Sequence, residues 1–208
     1  MQKNTTKQVE FWAGEFGNSY TERNQGELRS ASVTAMFSDI FRHTRSIRSV
    51  LELGANRGLN MDAIHSLNPG VELSAVEVNE QAFGILQQKT YVEAKHSSIQ
   101  DFKADRSWDL TFTRGVLIHI APEDLSVAYQ RLYEYSRRYI LVAEYYNPTP
   151  VALEYREHHG YLFKRDFAGD LLDRYEDLSL ISYGFCYHRD TVFPQDDITW
   201  FLMEKQQS

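Results

Sequence analysis

Glu52, Glu77 and His119 are the side chains whose type and spacing suit chemistry in this chain, and the first belongs to a glycine turn. The stretch Glu52-Leu53-Gly54-Ala55-Asn56-Arg57-Gly58-Leu59-Asn60 closes an apolar run and opens a helical pattern. Glycines at such a turn let the backbone pass close to a ligand, and the first N–H groups of the helix receive electron-rich atoms. A dinucleotide fingerprint carries glycine at its middle position, to clear the pyrophosphate. Here that position is Asn56. Its side chain crowds a diphosphate but can hydrogen-bond an amino-acid moiety. The form Glu52-x-Gly54-x-x-x-Gly58 therefore favours S-adenosylmethionine (SAM), which has no phosphate, over a nicotinamide cofactor. Gly58 would leave room for the methionine end, with Asn60 at the start of the helix. Many glycine turns are purely structural, so the motif alone stays open to that reading.

Glu77-Val78 ends the next apolar run, 25 residues after Glu52. That is close to the spacing of an acid that accepts from ribose hydroxyls. After a third run, Ser98 and Ile99 stand where an adenine would lie between an apolar side chain and a polar group. Thr113-Arg114-Gly115 leaves a fourth run, beside the expected methionine end; Arg114 reads equally well as a surface arginine.

Methyl transfer to a hydroxyl gains from a general base, whereas a neutral amine needs none. His119 is the first candidate base, because histidine titrates near neutrality; it also reads as a histidine hydrogen-bonded at a helix start. Glu144 and Tyr146 are further catalytic candidates, with Tyr145 and Asn147 beside the acceptor, although Asn147-Pro148 is also ordinary turn chemistry. Residues 147–165 read as a long connection, and long connections are often functional. Its Arg156 and Lys164 suit an anionic acceptor; Lys164 and Arg165 also fit a solvated helix start paired with Asp166 or Asp170. His158-His159 lacks a third ligand, so no metal is expected.

The elements that must position these groups alternate. Apolar runs at 47–53, 71–78, 91–97, 108–113 and 139–144 read as strands, with helices between. Pro122 stands in the first turn of a helix reaching 137, and a further helix covers 166–175. Residues 178–187 and 198–204 form two strands with no helix between, hence an antiparallel pair. The expected fold is α/β and Rossmann-like: a mostly parallel seven-stranded sheet ending in an antiparallel hairpin, with helices on both faces. This is the plan of class I methyltransferases. One domain, 1–208, divides into a helical cap (1–45), a cofactor-binding core (46–145) and an acceptor loop, helix and hairpin (146–208). In the cap, 8–24 is aromatic-rich and 27–43 has helical spacing at Leu28, Val33, Met36, Phe37, Ile40 and Phe41.

The chain has 208 residues and a net charge of −7, which argues against a nucleic-acid partner. One cysteine, Cys186, excludes an internal disulfide and fits a reducing compartment. Residues 1–10 have no apolar segment of a signal peptide, and no window approaches a membrane span. The expectation is a cytoplasmic monomer or homodimer acting on a small molecule.

The chain resembles the pseudaminic acid biosynthesis-associated methylases. The resemblance runs nearly end to end, through Glu15-Phe16-Gly17-Asn18-Ser19-Tyr20-Thr21-Glu22-Arg23-Asn24, the 52–60 turn and Arg114-Gly115-Val116-Leu117-Ile118-His119-Ile120. Glu144-Tyr145-Tyr146-Asn147-Pro148, Phe163-Lys164-Arg165-Asp166-Phe167 and Asp197-Ile198-Thr199-Trp200-Phe201-Leu202 are the more specific segments. The resemblance implies methyl transfer to an oxygen or nitrogen of a nonulosonic sugar acid, its precursor or its nucleotide-activated form. It also implies that Tyr20 and Arg23 fold over the cofactor, with Arg23 facing its carboxylate. Outside that class, a catalytically silent SAM-binding module would carry the same glycine turn.

Overall fold

The computed structural model describes residues 6–23, 27–156 and 158–206. Asn24 of the aromatic-rich segment and the side chain of Leu28 lie outside the described residues. Five parallel strands form most of the sheet: β1 (Ser49–Leu53), β2 (Glu72–Glu77), β3 (Val92–His96), β4 (Trp108–Arg114) and β5 (Ser136–Glu144). A separate antiparallel hairpin, β6 (Val151–Tyr155) and β7 (His158–Lys164), follows. The sheet ends with β8 (Leu178–Cys186) and β9 (Ile198–Lys205), in the order β3-β2-β1-β4-β5-β9-β8. β9 is antiparallel to both neighbours. The α/β Rossmann-like fold and its closing antiparallel pair are as the sequence predicts.

Strand periodicity explains the layers. Along β5, Tyr139, Leu141 and Ala143 enter one core and Ile140 and Val142 the other. Successive side chains point to opposite faces, so each face needs its own cover. The first cover is α3 (Glu27–Phe41) and α4 (Leu59–Leu67), through Phe37, Ile40, Met61 and Ile64. The second is α6 (Leu125–Tyr135) and α7 (Phe167–Arg174), through Leu132, Phe167 and Leu171. α5 (Glu80–Leu86) links β2 to β3. α1 (Lys7–Ala13) and α2 (Glu15–Arg23) precede α3 and pack against the β6–β7 hairpin, where Phe11 stacks on Tyr161 at 4.1 Å.

Several bounds differ from the sequence reading, for local reasons. β1 begins at Ser49, because Ser46 turns with φ +48° and Asp109 collects the N–H groups of Arg48 and Ser49. α6 stops at Tyr135, where Lys205 Nζ donates to the carbonyls of Tyr133 and Ser136 and so caps the helix end. The 147–165 connection is not an open loop: Arg156 turns with φ +48° and folds it into β6–β7. Among the described residues no helix is long and apolar enough to cross a membrane. Nor do three His, Cys, Asp or Glu side chains gather as a metal site among them.

Candidate functional site

The carboxyl ends of β1, β2 and β4 open onto a cleft whose space, open solvent at the mouth included, is about 1110 Å³. This is where open α/β sheets bind ligands. At its floor the turn after β1 is built for close approach. Gly54 (φ +86°), Asn56 (φ +47°) and Gly58 (φ +82°) all adopt left-handed backbone. A Cβ on Gly54 would stand 2.7 Å from a Val116 methyl.

Glu77 ends β2 inside the cleft and is 6% exposed. Its Oε2 accepts from the Asn56 N–H and its Oε1 from the Asn79 N–H, each at 2.6 Å. Burial nonetheless pushes its pKa up, against the lowering effect of those amides. Val78 follows on the lining, and its carbonyl accepts from His96 Nε2 at 3.0 Å. Ser98 and Ile99 form the far wall. Ser98 Oγ accepts from the Asp101 N–H at 3.1 Å.

At the other end the lining contains Tyr20, Asn60, Arg114, Gly115 and His119. Arg114 is no surface residue. Its Nη2 donates to Gln195 Oε1 at 2.7 Å, its Nε has no partner, and burial lowers its pKa. Gln195 is held in turn by the Ser32 carbonyl, at 3.0 Å. Arg29 lines the cleft nearby and pairs with Asp196 at 3.2 Å. Asn56 and Asn60 each keep a buried, partnerless Oδ1. An unmet buried polar group costs about 1–3 kcal/mol, so these atoms and the Arg114 Nε are poised for ligand groups. Two amide oxygens and a guanidinium match an amino group and a carboxylate on one ligand, which SAM carries; the residues fit that cofactor.

The remaining sequence candidates stand elsewhere. Gly58 does not line the cleft: a Cβ there would meet Leu86 at 2.6 Å and Lys89 at 3.0 Å. Its absent side chain serves the packing of α4 on α5 rather than the room for a methionine. Glu52 lies fully buried beneath the turn and accepts from Asn60 Nδ2. Thr113 is fully buried and also off the lining. Arg23 is exposed over the Phe16 ring, so the arginine that α2 and α3 bring to the cleft is Arg29.

Among the candidates for catalysis and acceptor binding, the lining takes only His119, which is 7% exposed. Its Nδ1 lies 2.6 Å from the Tyr161 carbonyl, so Nδ1 carries the proton and Nε2 is the free acceptor. Its ring packs on Trp12 (4.5 Å between centroids) and Tyr155 (4.9 Å). Burial drives its pKa down to about 4, so it does not titrate near neutrality. Glu144 is 2% exposed; its carboxylate accepts from the N–H groups of Val116, Leu117 and Ile118, at 3.0, 3.1 and 3.4 Å. Burial raises its pKa to about 7. It braces the 3-10 turn that carries His119. Tyr146 is exposed against Phe201, and Asn147 Nδ2 donates to the Thr149 carbonyl in a local turn. Tyr145 is half-buried under Lys164, whose Nζ sits 5.0 Å above its ring. Arg156 is exposed at the hairpin tip, over the Tyr155 ring at 5.9 Å. Arg165 pairs with Asp170 at 2.7 Å.

Trp12, Arg29, Arg57, Asn79, Gln100 and Gln195 line or brace the cleft without having been singled out in the sequence. Asn79 had a signal, as an Asn just before a helix. Arg29 and Gln195 had none, since each reaches the site through tertiary packing.

Comparison with protein-family descriptions finds no match, and comparison with curated proteins finds none either. Solved structures do match. The 1,6-didemethyltoxoflavin-N1-methyltransferase of Burkholderia thailandensis, with its substrate and S-adenosylhomocysteine bound, superposes with a TM-score of 0.72 at 14% identity, over 100% of this chain and 94% of that one. Magnesium protoporphyrin IX methyltransferase from Synechocystis PCC 6803, with bound S-adenosylhomocysteine, gives 0.68 at 14%, over 95% and 98%. The plantazolicin methyltransferase BpumL, also with bound S-adenosylhomocysteine, gives 0.67 at 12%, over 96% and 94%. The fold is that of the class I SAM-dependent methyltransferases.

Glu52 yields a test of the site's electrostatics. Burial raises its pKa from 4.5 to about 8. A raised carboxyl stabilises the fold fully below its unfolded pKa and loses that contribution as pH rises through the folded value. Ligand-free protein should therefore lose on the order of a few kcal/mol between pH 5 and 8 through this group. Glu52→Gln should flatten that slope in denaturant melts. An unchanged slope would show that Glu52 ionises freely.

Proposed function

We propose that this protein is a SAM-dependent methyltransferase acting on an oxygen or nitrogen of a small, anionic metabolite. The observation that carries the reading is Glu77, buried at the end of β2 with its carboxylate oriented by two amides and open to the cleft. That is the position and chemistry for gripping ribose hydroxyls. The fold shared with S-adenosylhomocysteine-bound methyltransferases supports the same cofactor.

In this reading Ser98 and Ile99 flank the adenine. Asn56 and Asn60 accept from the amino group, and Arg114, with Arg29, faces the carboxylate. When bound, SAM supplies an electrophilic methyl on a sulfonium, and the protein supplies alignment and exclusion of water. Trp12 and Tyr20 roof the cleft beside His119. His119 Nε2 is the site that takes the proton of an acceptor hydroxyl.

The anionic acceptor is supported by Arg57, a cation on the cleft lining that is not assigned to the cofactor's carboxylate, rather than by Arg156 and Lys164. The finer assignment, a nonulosonic sugar acid, its precursor or its nucleotide form, rests on the sequence segments quoted above. The aromatic roof favours a second reading, in which the acceptor is a flat or apolar ring stacked on Trp12. A cytoplasmic setting goes with the lone thiol, Cys186.

Calorimetry with SAM, S-adenosylhomocysteine and NADH tests the cofactor. The first two should bind and NADH should not; no binding of either adenosyl ligand to folded protein would sink the proposal. Incubating labelled SAM with nucleotide sugars, nonulosonates and planar heterocycles, read by mass spectrometry, then tests the acceptor. Binding without turnover on any of them would favour a silent module.

A further inference from the structure

Glu77 is the hub of a connection that leaves the cofactor cleft. The two backbones whose N–H groups it holds, Asn56 and Asn79, send their side chains to the same place, the α1–α2 corner. Asn79 Nδ2 donates to Asn18 Oδ1 at 2.8 Å and to the Trp12 carbonyl at 3.1 Å. Asn56 Nδ2 donates to Thr21 Oγ1 at 2.9 Å, and that hydroxyl donates to the Gly17 carbonyl at 2.9 Å. The corner has no slack: a Cβ on Gly17 would stand 1.9 Å from the Trp12 carbonyl oxygen and 2.8 Å from Asn79 Nδ2.

Asn79 is 2% exposed and divides its amide between two tasks. Its Oδ1 caps α5 by accepting from the Ala82 N–H at 2.9 Å. Its Nδ2 is not needed for that cap. Capping alone would be served by Ser or Asp, so the amide's donors are what the α1–α2 corner uses. The corner carries Trp12 and Tyr20 over the cleft, and Trp12 rests on His119.

We propose that Asn79 is a positioning residue that couples cofactor binding at Glu77 to docking of the α1–α2 roof over the acceptor end. A ligand whose hydroxyls engage Glu77 holds that carboxylate in place. The carboxylate holds the Asn56 and Asn79 backbones, and their side chains hold the roof. Cofactor would thus order the wall against which the acceptor packs. This inference rests on the cofactor reading above.

The test is hydrogen exchange on the full chain, with and without S-adenosylhomocysteine at a concentration that saturates each variant. In the wild type the ligand should slow exchange in residues 7–23 by on the order of tenfold or more, together with the 54–60 turn. In Asn79→Ser, which keeps an oxygen for the α5 cap, the ligand should still protect 54–60. Its protection of 7–23 should fall below about threefold. Asn18→Ala removes the shortest of the amide's contacts, leaves its bond to the Trp12 carbonyl and does not touch the cap; it should lower the protection of 7–23 in part, which keeps the test open if Asn79→Ser folds poorly. Undiminished protection of 7–23 in either folded variant overturns the proposal. So does a wild type that binds the ligand and leaves 7–23 unprotected. A wild type that binds no S-adenosylhomocysteine overturns the cofactor reading, and this inference falls with it.

Discussion

Glu77→Ala should weaken S-adenosylhomocysteine binding by about 10²–10⁴-fold, because two hydrogen bonds to a charged acceptor at about 1.5–3 kcal/mol each are lost. The variant also removes the partner of the Asn56 and Asn79 N–H groups, which now meet Glu77 at 2.6 Å. Some loss of melting temperature therefore accompanies the loss of affinity, and circular dichroism must show a folded variant. The pH dependence carries a sign. Burial holds the Glu77 pKa above its ordinary value, and ligand hydroxyls that donate to the carboxylate favour its charged form. Affinity for S-adenosylhomocysteine should therefore rise as pH increases through that elevated pKa, and Glu77→Ala should abolish the dependence. Calorimetry decides both points. A folded variant binding within threefold of wild type would remove Glu77 from the ribose site.

The parts of this arrangement that were legible in the sequence share one property: their chemistry is local. Strand periodicity, the 52–60 glycine turn and the acid at the end of the second strand depend on neighbours a few residues away. They placed Gly54, Asn56, Glu77, Ser98 and Ile99 around one cleft. Gly58 was legible as a glycine but not in its purpose, since the space it leaves is taken by Leu86 from another helix. The β6–β7 hairpin was hidden because the sequence following Tyr155 lacks the Asn-Gly or Asp-Gly signature of tight hairpins. Arg156 and Lys164 looked like acceptor ligands only while that stretch was read as a loop over the cleft. Folded into a hairpin, it turns Lys164 onto Tyr145 and leaves Arg156 at the tip. Glu144 reads in the sequence as a catalytic candidate, and only the tertiary structure shows it collecting three amide N–H groups. The roof was the least legible part. Its aromatic content is plain in the sequence, but the clasp of Asn79 on Asn18 spans 61 residues and leaves no periodic trace.

His119→Asn should lower kcat for a hydroxyl acceptor by about 10²-fold, the low end of general-base effects, because a base of pKa near 4 gains less than one matched to neutral pH. Asparagine is the informative substitution. Its amide can still donate to the Tyr161 carbonyl, as Nδ1 does now, while nothing replaces Nε2 as proton acceptor. S-adenosylhomocysteine affinity should stay within a few-fold of wild type, since the groups proposed to hold it are Glu77, Asn56, Asn60 and Arg114. The pH–rate profile should show its acidic limb near pH 4, and be flat in this limb from pH 6 upward. The stability of the ligand-free protein provides a second reading of the same group. His119 stays neutral in the fold down to about pH 4, whereas an unfolded histidine protonates at about 6.5. Above 6.5 both states are neutral and the group contributes no slope. Between 6.5 and 4 the unfolded chain binds a proton that the fold refuses, so stability falls as pH falls, by on the order of 3 kcal/mol in all. His119→Asn should remove this contribution, read as the difference between variant and wild-type slopes in denaturant melts between pH 7 and 4, because Glu52 and Glu144 contribute slopes of the opposite sign there. An unaltered stability slope would place the histidine in solvent. A lost slope with undiminished kcat would leave it a packing residue under Trp12, and the acceptor would then be a nucleophile that needs no base, such as a neutral amine.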